Sequence, residues 1–496
     1  MMHAIVSIYD GRRPDNKDGP AAPRVGWDRD TGAVPGSLRM SETCDAGAMR
    51  GQGGMCMADV VIGPVDRAAR FESLDVLRGV AALGILLMNI PVMGMSWHWP
   101  KPPLPARPDI DWIAYSIQHV TFDGTMRGLF TLLFGAGMVV MLDRRDPARE
   151  AEAVQAFFVR CFALMLLGIV NFALFLWPGE ILFNYGVAGL AVFLFRKAEK
   201  RLLIVAAATA LIVMTLGLAA SKHDQFDRMA LADAAVAARS TGRQATPEQA
   251  ESLKKRDAAM QQLMSPAARA KERATRTSWP AVTGWSADTW MEYNLSWDGA
   301  AFLLESIGFM LAGIFLFRTG VLTGKKTIGF YTIMAVCGLA AGGVIRGWLL
   351  SLAWQSGFVF SMHWMGPMTY LYEAGRLAMT IGMLGLVMTL LKVGLMGRLA
   401  GVLAAVGRTA LTTYIGQSVI TSILLYAFGL WGRFGFAQLM GVAALIWIAQ
   451  CVFSVLWLRW FEMGPAEWLL RTLTYGAARP IRRPVLARPR RMTIAA

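Results

Sequence analysis

Long apolar runs dominate the chain after residue 74, and short charged segments separate them. A helix needs about 20 apolar residues to cross a bilayer, and ten runs approach or exceed that length. We therefore predict an all-α fold, a polytopic integral membrane bundle of about ten transmembrane helices. The predicted spans are 75–95, 113–142, 153–176, 180–196, 201–220, 299–318, 327–352, 368–391, 400–428 and 437–460.

The second run is longer than one span and contains a polar interruption at Asp123, Gly124 and Arg127. Irregular backbone is tolerated at membrane depth only where it is buried in protein or lines a water-filled cavity. We expect the first part of this run to be a re-entrant or interfacial helix.

Composition and charge exclude an ordinary soluble domain. The chain is 55% apolar and 17% charged, with a mean hydropathy of +0.43, which is typical of an integral membrane protein. The net charge is +15, but the Lys and Arg residues gather at the ends of the apolar runs. This pattern indicates contact with lipid and not with nucleic acid, and it places both termini in the cytoplasm. The five Cys show no paired spacing, so we expect neither a disulfide nor a metal site.

Five segments follow from these patterns. They are a disordered extension or an over-long start (1–66), the first five spans (67–220), an extracytoplasmic helical loop (221–297), the last five spans (298–476) and a basic cytoplasmic tail (477–496). Within the loop, Thr246 and Pro247 mark the start of a helix. The loop either covers an outward-facing site or is a solvated spacer.

Three polar residues distinguish the first span from a simple anchor. Asp75 and Arg78 are i,i+3 neighbours that can pair at the cytoplasmic end, and Asn89 lies eleven residues past Arg78 on the same stripe. A helix of this kind faces protein or water rather than lipid.

Ionisable residues also occur in the outer half of the predicted bundle. His119, Asp123 and Arg127 are spaced i,i+4,i+8, and one helix would present all three on one face. With Asp123 orienting its imidazole, His119 is a candidate general base; the alternative is an interfacial hydrogen bond. Glu305 is the most deeply placed acid, and it is either functional or paired with Arg346.

Other polar residues in or beside the spans are candidates for lining a cavity or contacting a substrate. Glu180 opens the fourth span, either as a charge at a helix N-terminus or as a cavity residue. The remaining candidates are Glu373, Arg376, Tyr414 and Gln417.

At the cytoplasmic ends of the spans, Arg78 and Arg408 are each followed directly by an apolar run. Because a guanidinium group matches phosphate bidentately, these two arginines and Asp75 form a candidate site for an anionic cofactor. The alternative is that the arginines serve topology alone.

Six blocks of the sequence, in order, resemble the YeiB-like membrane proteins that carry the domain of unknown function 418. The blocks are SLDVLRGVAALGILLMNI (73–90), FDGTMRGLFTLLFGAG (122–137), WPGEILFNYGVAGL (177–190), ESIGFMLAGIFLFRTGVL (305–322), VGRTALTTYIGQS (406–418) and GPAEWLLRTLTYG (464–476). The similarity covers most of residues 67–480.

That family is in turn similar to the transmembrane acyltransferases, in which Asp-x-x-Arg-Gly opens the first span, here Asp75, Arg78 and Gly79. The resemblance implies that an acyl group passes from cytoplasmic acyl-CoA, such as acetyl-CoA, to a sugar or another small acceptor on the far side.

The resemblance departs from the acyltransferases at two places. Acyltransferase-3 proteins carry His at the position of Asn89, whereas the heparan-type enzymes tend to Asn there and carry their working His in a His-x-x-Trp-x-Gly stretch. Here His119 and Gly124 match that stretch, and Phe122 replaces its Trp.

The resulting hypothesis is an acyltransferase of the bacterial inner membrane. Acyl-CoA would bind over Arg78 and Arg408, His119 would act as general base, and Asn89 would polarise the thioester carbonyl. A small-solute transporter and a non-catalytic scaffold are the alternatives, and each is compatible with a homo-oligomer. We expect Arg78, Asn89, His119 and Glu305 to line one continuous cavity; if they lie apart, the enzyme and transporter hypotheses both weaken.

Overall fold

The computed structural model describes residues 72–97, 100–102, 109–142, 150–476 and 480–482. The predicted extension 1–66 and most of the predicted tail 477–496 lie outside the described residues. In chain order the helices are α1 (Glu72–Gly94), α2 (Ile110–Ile117), α3 (Thr125–Leu142), α4 (Glu150–Ala173), α5 (Leu182–Val192), α6 (Lys200–Ser221), α7 (His223–Ser240), α8 (Pro247–Met264), α9 (Pro266–Ala274), α10 (Trp279–Asn294), α11 (Trp297–Arg318), α12 (Ile328–Gln355), α13 (Met362–Val393), α14 (Gly397–Arg408), α15 (Ala410–Ser422), α16 (Phe436–Trp460) and α17 (Pro465–Tyr475).

The all-α membrane fold is confirmed. In the described part of the chain, nine helical segments are long and apolar enough to cross a membrane, and the shorter apolar segment Leu182–Phe195 lies at the fourth predicted span. Helix α5 and the single turn after it (Phe193–Phe195) make up this segment, which reaches only about 20 Å. We call the end of the bundle at which α1 begins the inner face, which the charge pattern predicts to be cytoplasmic, and the opposite end the outer face.

The second span is interrupted, as predicted. Helix α2 passes through a wide turn (Gln118–Phe122) and ends before α3. Between them, Gly124 has a φ of +67°, a conformation that costs a residue with a side chain much more than glycine. A Cβ at this position would also collide with the Arg376 side chain.

The ninth predicted span, 400–428, is wrong in its boundaries, because α14 and α15 are separate helices that meet at Thr409. Helix α14 buries Leu403 and Val406 and exposes its opposite side. It crosses α1 where Gly407 packs on the backbone carbonyl of Asp75, leaving no room for a Cβ. This close approach places the charged start of α1 beside the start of α15.

Helices α7 to α10 form a layer on the outer face. The predicted helix start is confirmed, since the Thr246 hydroxyl accepts a hydrogen bond from the Gln249 backbone at 3.3 Å. The Asp233 carboxylate in α7 accepts hydrogen bonds from the Ser361 hydroxyl and the Met362 backbone, each at 2.9 Å. Ser361 caps the start of α13, so these hydrogen bonds hold the layer against the bundle. This contact favours the prediction that the loop covers a site over the alternative of a solvated spacer.

Candidate functional site

A cavity of about 510 Å³ opens between α1, α3, α4, α5, α14, α15 and α17. We call it the arginine cavity. It contains four arginines and three carboxylates among many apolar side chains; these charged residues are Asp75, Arg78, Arg160, Arg408, Glu462, Glu467 and Arg471.

The arginine cavity extends deep into the bundle. Helix α3 lines it from Met141, near the inner face, to Phe130, a distance of about 16 Å along the helix. At the deep end, Leu164, Leu182 and Tyr185 complete the wall. The cavity is therefore charged at its mouth and apolar at its floor.

Two of the predicted cofactor-binding residues pair with each other at the mouth. The Arg78 guanidinium donates to the Asp75 carboxylate at 2.9 Å, as the i,i+3 spacing predicts. Arg408, the third predicted residue, donates to the backbone carbonyl of Glu462 at 2.9 Å. All three line the arginine cavity.

Arg160 lies on the α4 wall between Phe157 and Leu164, and it is half-buried. Within the described residues no carboxylate lies within 4.0 Å of its guanidinium. It was not predicted as a site residue, although it is the only charged residue in the predicted span 153–176. That isolation in an apolar run is the signal that would have found it.

Glu467 of α17 fixes the start of α15 at the cavity wall. Its carboxylate accepts hydrogen bonds from the backbone N–H groups of Leu411 (2.6 Å) and Thr412 (3.2 Å) and from the Thr412 hydroxyl (2.5 Å). These are N–H groups that a helix N-terminus leaves without an intrahelical partner. Burial raises the pKa of the Glu467 carboxyl above its usual range.

A second group of charged residues lies between α3, α11 and α13. Glu305 contacts Arg127 at 2.6 Å and Arg376 at 2.5 Å, and Glu373 lies 3.2 Å from Arg376. We call these four residues the ion cluster. The predicted pairing of Glu305 with Arg346 is wrong, because the Glu305 carboxylate is paired with Arg127 and Arg376.

Arg346 instead anchors the irregular turn between α2 and α3. Its guanidinium donates to the backbone carbonyls of Asp123 (2.7 Å) and His119, and it lies 3.5 Å from the Asp123 carboxylate. Carbonyl groups that the broken helix leaves without partners are thereby satisfied.

His119 and Asp123 contact each other as predicted, with 3.4 Å between imidazole Nδ1 and the carboxylate. The Tyr372 hydroxyl lies 3.2 Å from the same carboxylate. The prediction that Arg127 shares this face is wrong, because the chain turns at Gly124 and directs Arg127 to Glu305.

One hydrogen-bonded pair separates the floor of the arginine cavity from the ion cluster. The Tyr185 hydroxyl lies 2.5 Å from the Thr131 hydroxyl, which donates to the Arg127 backbone carbonyl at 2.8 Å. The Phe302 ring lies 4.5 Å from the Arg127 guanidinium, and the Phe309 ring lies 4.5 Å from that of Arg376. Charged side chains and aromatic rings therefore fill the bundle at this depth.

The prediction of one continuous cavity is therefore wrong for this structure. Of the four residues proposed to line it, Arg78 lies in the arginine cavity, whereas Asn89, His119 and Glu305 do not. Asn89 is half-buried further along α1. Glu305 is neutralised within the ion cluster.

The other predicted cavity residues form cross-links between helices. The Glu180 carboxylate accepts hydrogen bonds from the backbone of Leu182 (2.7 Å) and from the Trp290 indole (3.1 Å), which matches the predicted role at a helix N-terminus. The Tyr414 hydroxyl accepts a hydrogen bond from the Ile181 backbone at 3.0 Å. Gln417 donates to the Ala82 carbonyl at 3.0 Å. In the part of the chain that the structure describes, no group of three His, Cys, Asp or Glu side chains could hold a metal ion.

Comparison with known proteins identifies relatives but no reaction. The profile of the family described as "Protein of unknown function (DUF418)" matches residues 316–477. The chain is 29% identical to the Uncharacterized protein YeiB of Escherichia coli (strain K12), over 83% of this chain and 98% of that protein. It is 28% identical to the Uncharacterized protein YxaH of Bacillus subtilis (strain 168), over 83% of this chain and 96% of that protein. No solved structure matches the chain. The predicted resemblance is thus confirmed as a similarity: the chain resembles YeiB and YxaH over most of its length, and residues 316–477 match the DUF418 family.

Proposed function

We propose that the chain is a membrane acyltransferase that takes acyl-CoA from the inner face and uses it to acylate a small acceptor at the outer face. The observation that carries the proposal is Arg160, a half-buried arginine that lines a cavity and has no carboxylate within 4.0 Å among the described residues. A charge at membrane depth is costly unless something compensates it, and a phosphate group of a bound ligand would do so.

The shape of the arginine cavity suits a ligand with a charged end and an apolar end. Arg78, Arg408 and Arg471 at the mouth would contact the phosphates of the donor, since guanidinium binds phosphate bidentately. The acyl group would lie toward Phe130 and Leu182 at the apolar floor. Acyl-CoA combines these two features.

At the outer face His119 would accept the proton of the acceptor hydroxyl or amine, and Asp123 would orient the imidazole. The acceptor oxygen or nitrogen would attack the thioester carbon, and coenzyme A would leave as the thiolate. Asn89 would polarise the thioester carbonyl. Because the ion cluster separates His119 from the arginine cavity, transfer requires the Tyr185–Thr131 contact to open.

Binding of acetyl-CoA to the full chain in nanodiscs tests the donor site. Arg160→Met is expected to weaken binding by at least tenfold, because a hydrogen bond to a charged group contributes about 1.5–3 kcal/mol. Arg201→Met is the matched control, because Arg201 is exposed at the same face and lies outside the cavity. Equal affinity of the Arg160 variant and the wild type would refute the assignment of the site.

The chemical roles need a separate measurement, namely transfer of a labelled acetyl group from acetyl-CoA to membrane-associated acceptors. His119→Ala and Asn89→Ala are expected to retain acetyl-CoA binding and to lose transfer. If both variants transfer at the wild-type rate, the chemical step does not involve these residues.

A small-solute transporter is the second candidate, because a cavity open at one face and closed by an ion cluster also fits one state of a transporter. Counterflow of a solute in proteoliposomes without an acyl donor would favour transport. In either case we propose the bacterial cytoplasmic membrane as the location, since the relatives are bacterial and the basic residues gather at one face.

A further inference from the structure

A second depression, of about 360 Å³, lies on the inner face between α14 and α16. We call it the basic groove. Arg398, Arg408 and Arg459 surround it, and small or apolar residues, among them Gly401, Ala405 and Leu458, form its floor.

The charge of the basic groove is entirely positive, because no carboxylate belongs to its lining. Among the described residues, neither Arg398 nor Arg459 lies within 4.0 Å of a carboxylate. Topology alone explains why arginines occur at this face. It does not explain why three of them from two helices surround one concave surface.

The surface around the groove is apolar and faces outward. Helix α14 exposes Leu399 by 54%, Leu395 in the turn before it is exposed by 74%, and α16 exposes Val452 by 53%. In a membrane protein such side chains contact the hydrocarbon chains of lipids. An occupant of the groove therefore meets positive charge at one end and lipid at the other.

We propose that the basic groove binds one anionic phospholipid, with its phosphate on Arg398 and Arg459 and its acyl chains along α16. Guanidinium groups recognise phosphate oxygens, and a basic pocket on this side of a membrane protein suits an anionic head group. The proposal does not depend on what the arginine cavity binds.

Native mass spectrometry of the full chain with dioleoyl phosphatidylglycerol tests this proposal, with dioleoyl phosphatidylcholine as the reference lipid. An arginine near an anionic membrane contributes about 1 kcal/mol, which corresponds to about fivefold in affinity. Arg398→Gln with Arg459→Gln is therefore expected to weaken phosphatidylglycerol binding about 30-fold and to leave phosphatidylcholine binding unchanged. Both arginines are exposed, so the double variant is expected to fold, which size-exclusion chromatography checks.

The matched control is Lys200→Gln with Arg201→Gln, which removes two exposed charges at the start of α6, outside the groove. An equal loss of phosphatidylglycerol binding in this control would overturn the proposal, because the attraction would then be diffuse. Inorganic phosphate is the third probe. If it binds as tightly as phosphatidylglycerol and is lost in the same double variant, the groove is a phosphate site and not a lipid site.

Discussion

The ion cluster allows a sharp test of whether its charges stabilise the bundle. Glu305 is 3% exposed, Arg376 is fully buried, and the carboxylate contacts both Arg127 and Arg376. Glu305→Gln keeps the shape of the side chain but removes its charge. Glu373 is then the one remaining carboxylate in the ion cluster for the two buried guanidinium groups. Breaking a buried ion pair by removing one partner costs about 3–5 kcal/mol, because the other charge stays buried without compensation.

The free energy of unfolding, measured by SDS titration in mixed micelles, is therefore expected to fall by about 3–5 kcal/mol in Glu305→Gln. Adding Arg127→Gln removes the second charge and leaves Arg376 paired with Glu373, so the double variant is expected to be more stable than Glu305→Gln alone. Glu251→Gln is the control, since its ion pair with Lys255 is about two-thirds exposed and contributes less than about 1 kcal/mol.

Two outcomes would refute this reasoning. A loss below about 1 kcal/mol in Glu305→Gln would mean that water reaches the cluster and compensates the free arginines. Strict additivity of the two substitutions would mean that Glu305 and Arg127 do not act as a pair.

Three further predictions concern the contacts of Glu467, Arg276 and Tyr185. Because burial raises the pKa of Glu467, the folded protein holds that proton more tightly than the unfolded chain, and stability falls as pH rises from the ordinary glutamate pKa to the raised one. Glu467→Gln is expected to remove this slope in melting temperatures measured between about pH 4 and pH 8. Arg276 lies 3.7 Å from the Trp285 ring centroid and 3.1 Å from the Glu272 carboxylate, so Arg276→Met is expected to speed amide exchange in α9 and α10, measured by mass spectrometry, with no change in acetyl-CoA binding. Tyr185→Phe is expected to lower stability by about 1 kcal/mol and to leave the Kd of acetyl-CoA within about threefold, because the arginines at the mouth are unchanged; a larger loss of affinity would place the ligand phosphates at the floor.

Local sequence patterns predicted those features whose causes are local. The pairing of Asp75 with Arg78 follows from i,i+3 spacing on one helix. The start of α8 follows from Thr246 as the N-cap and Pro247 at the first helical position. The break before α3 follows from a glycine inside a polar interruption.

Features that depend on distant parts of the chain were not predictable in this way. Glu305 lies 178 residues from Arg127 in sequence, and nothing in either segment specifies the partner. The boundary between α14 and α15 depends on the packing of Gly407 against α1, because the apolar run itself continues through Thr409. A run of apolar residues fixes neither its own angle to the membrane nor its neighbours.

The position of the ion cluster distinguishes the two candidate functions in physical terms. An acyltransferase must bring only the acyl end of the donor past the Tyr185–Thr131 contact and along the ion cluster to His119, and it gains from excluding water there, because water would hydrolyse the thioester. A transporter must separate the charges themselves, since a solute has to pass between Arg127 and Glu305. Separating them without compensation costs several kcal/mol, so transport requires a solute whose charge replaces one of them. A variant that keeps the cluster but cross-links α3 to α11 would therefore abolish transport and leave acyl-CoA binding intact.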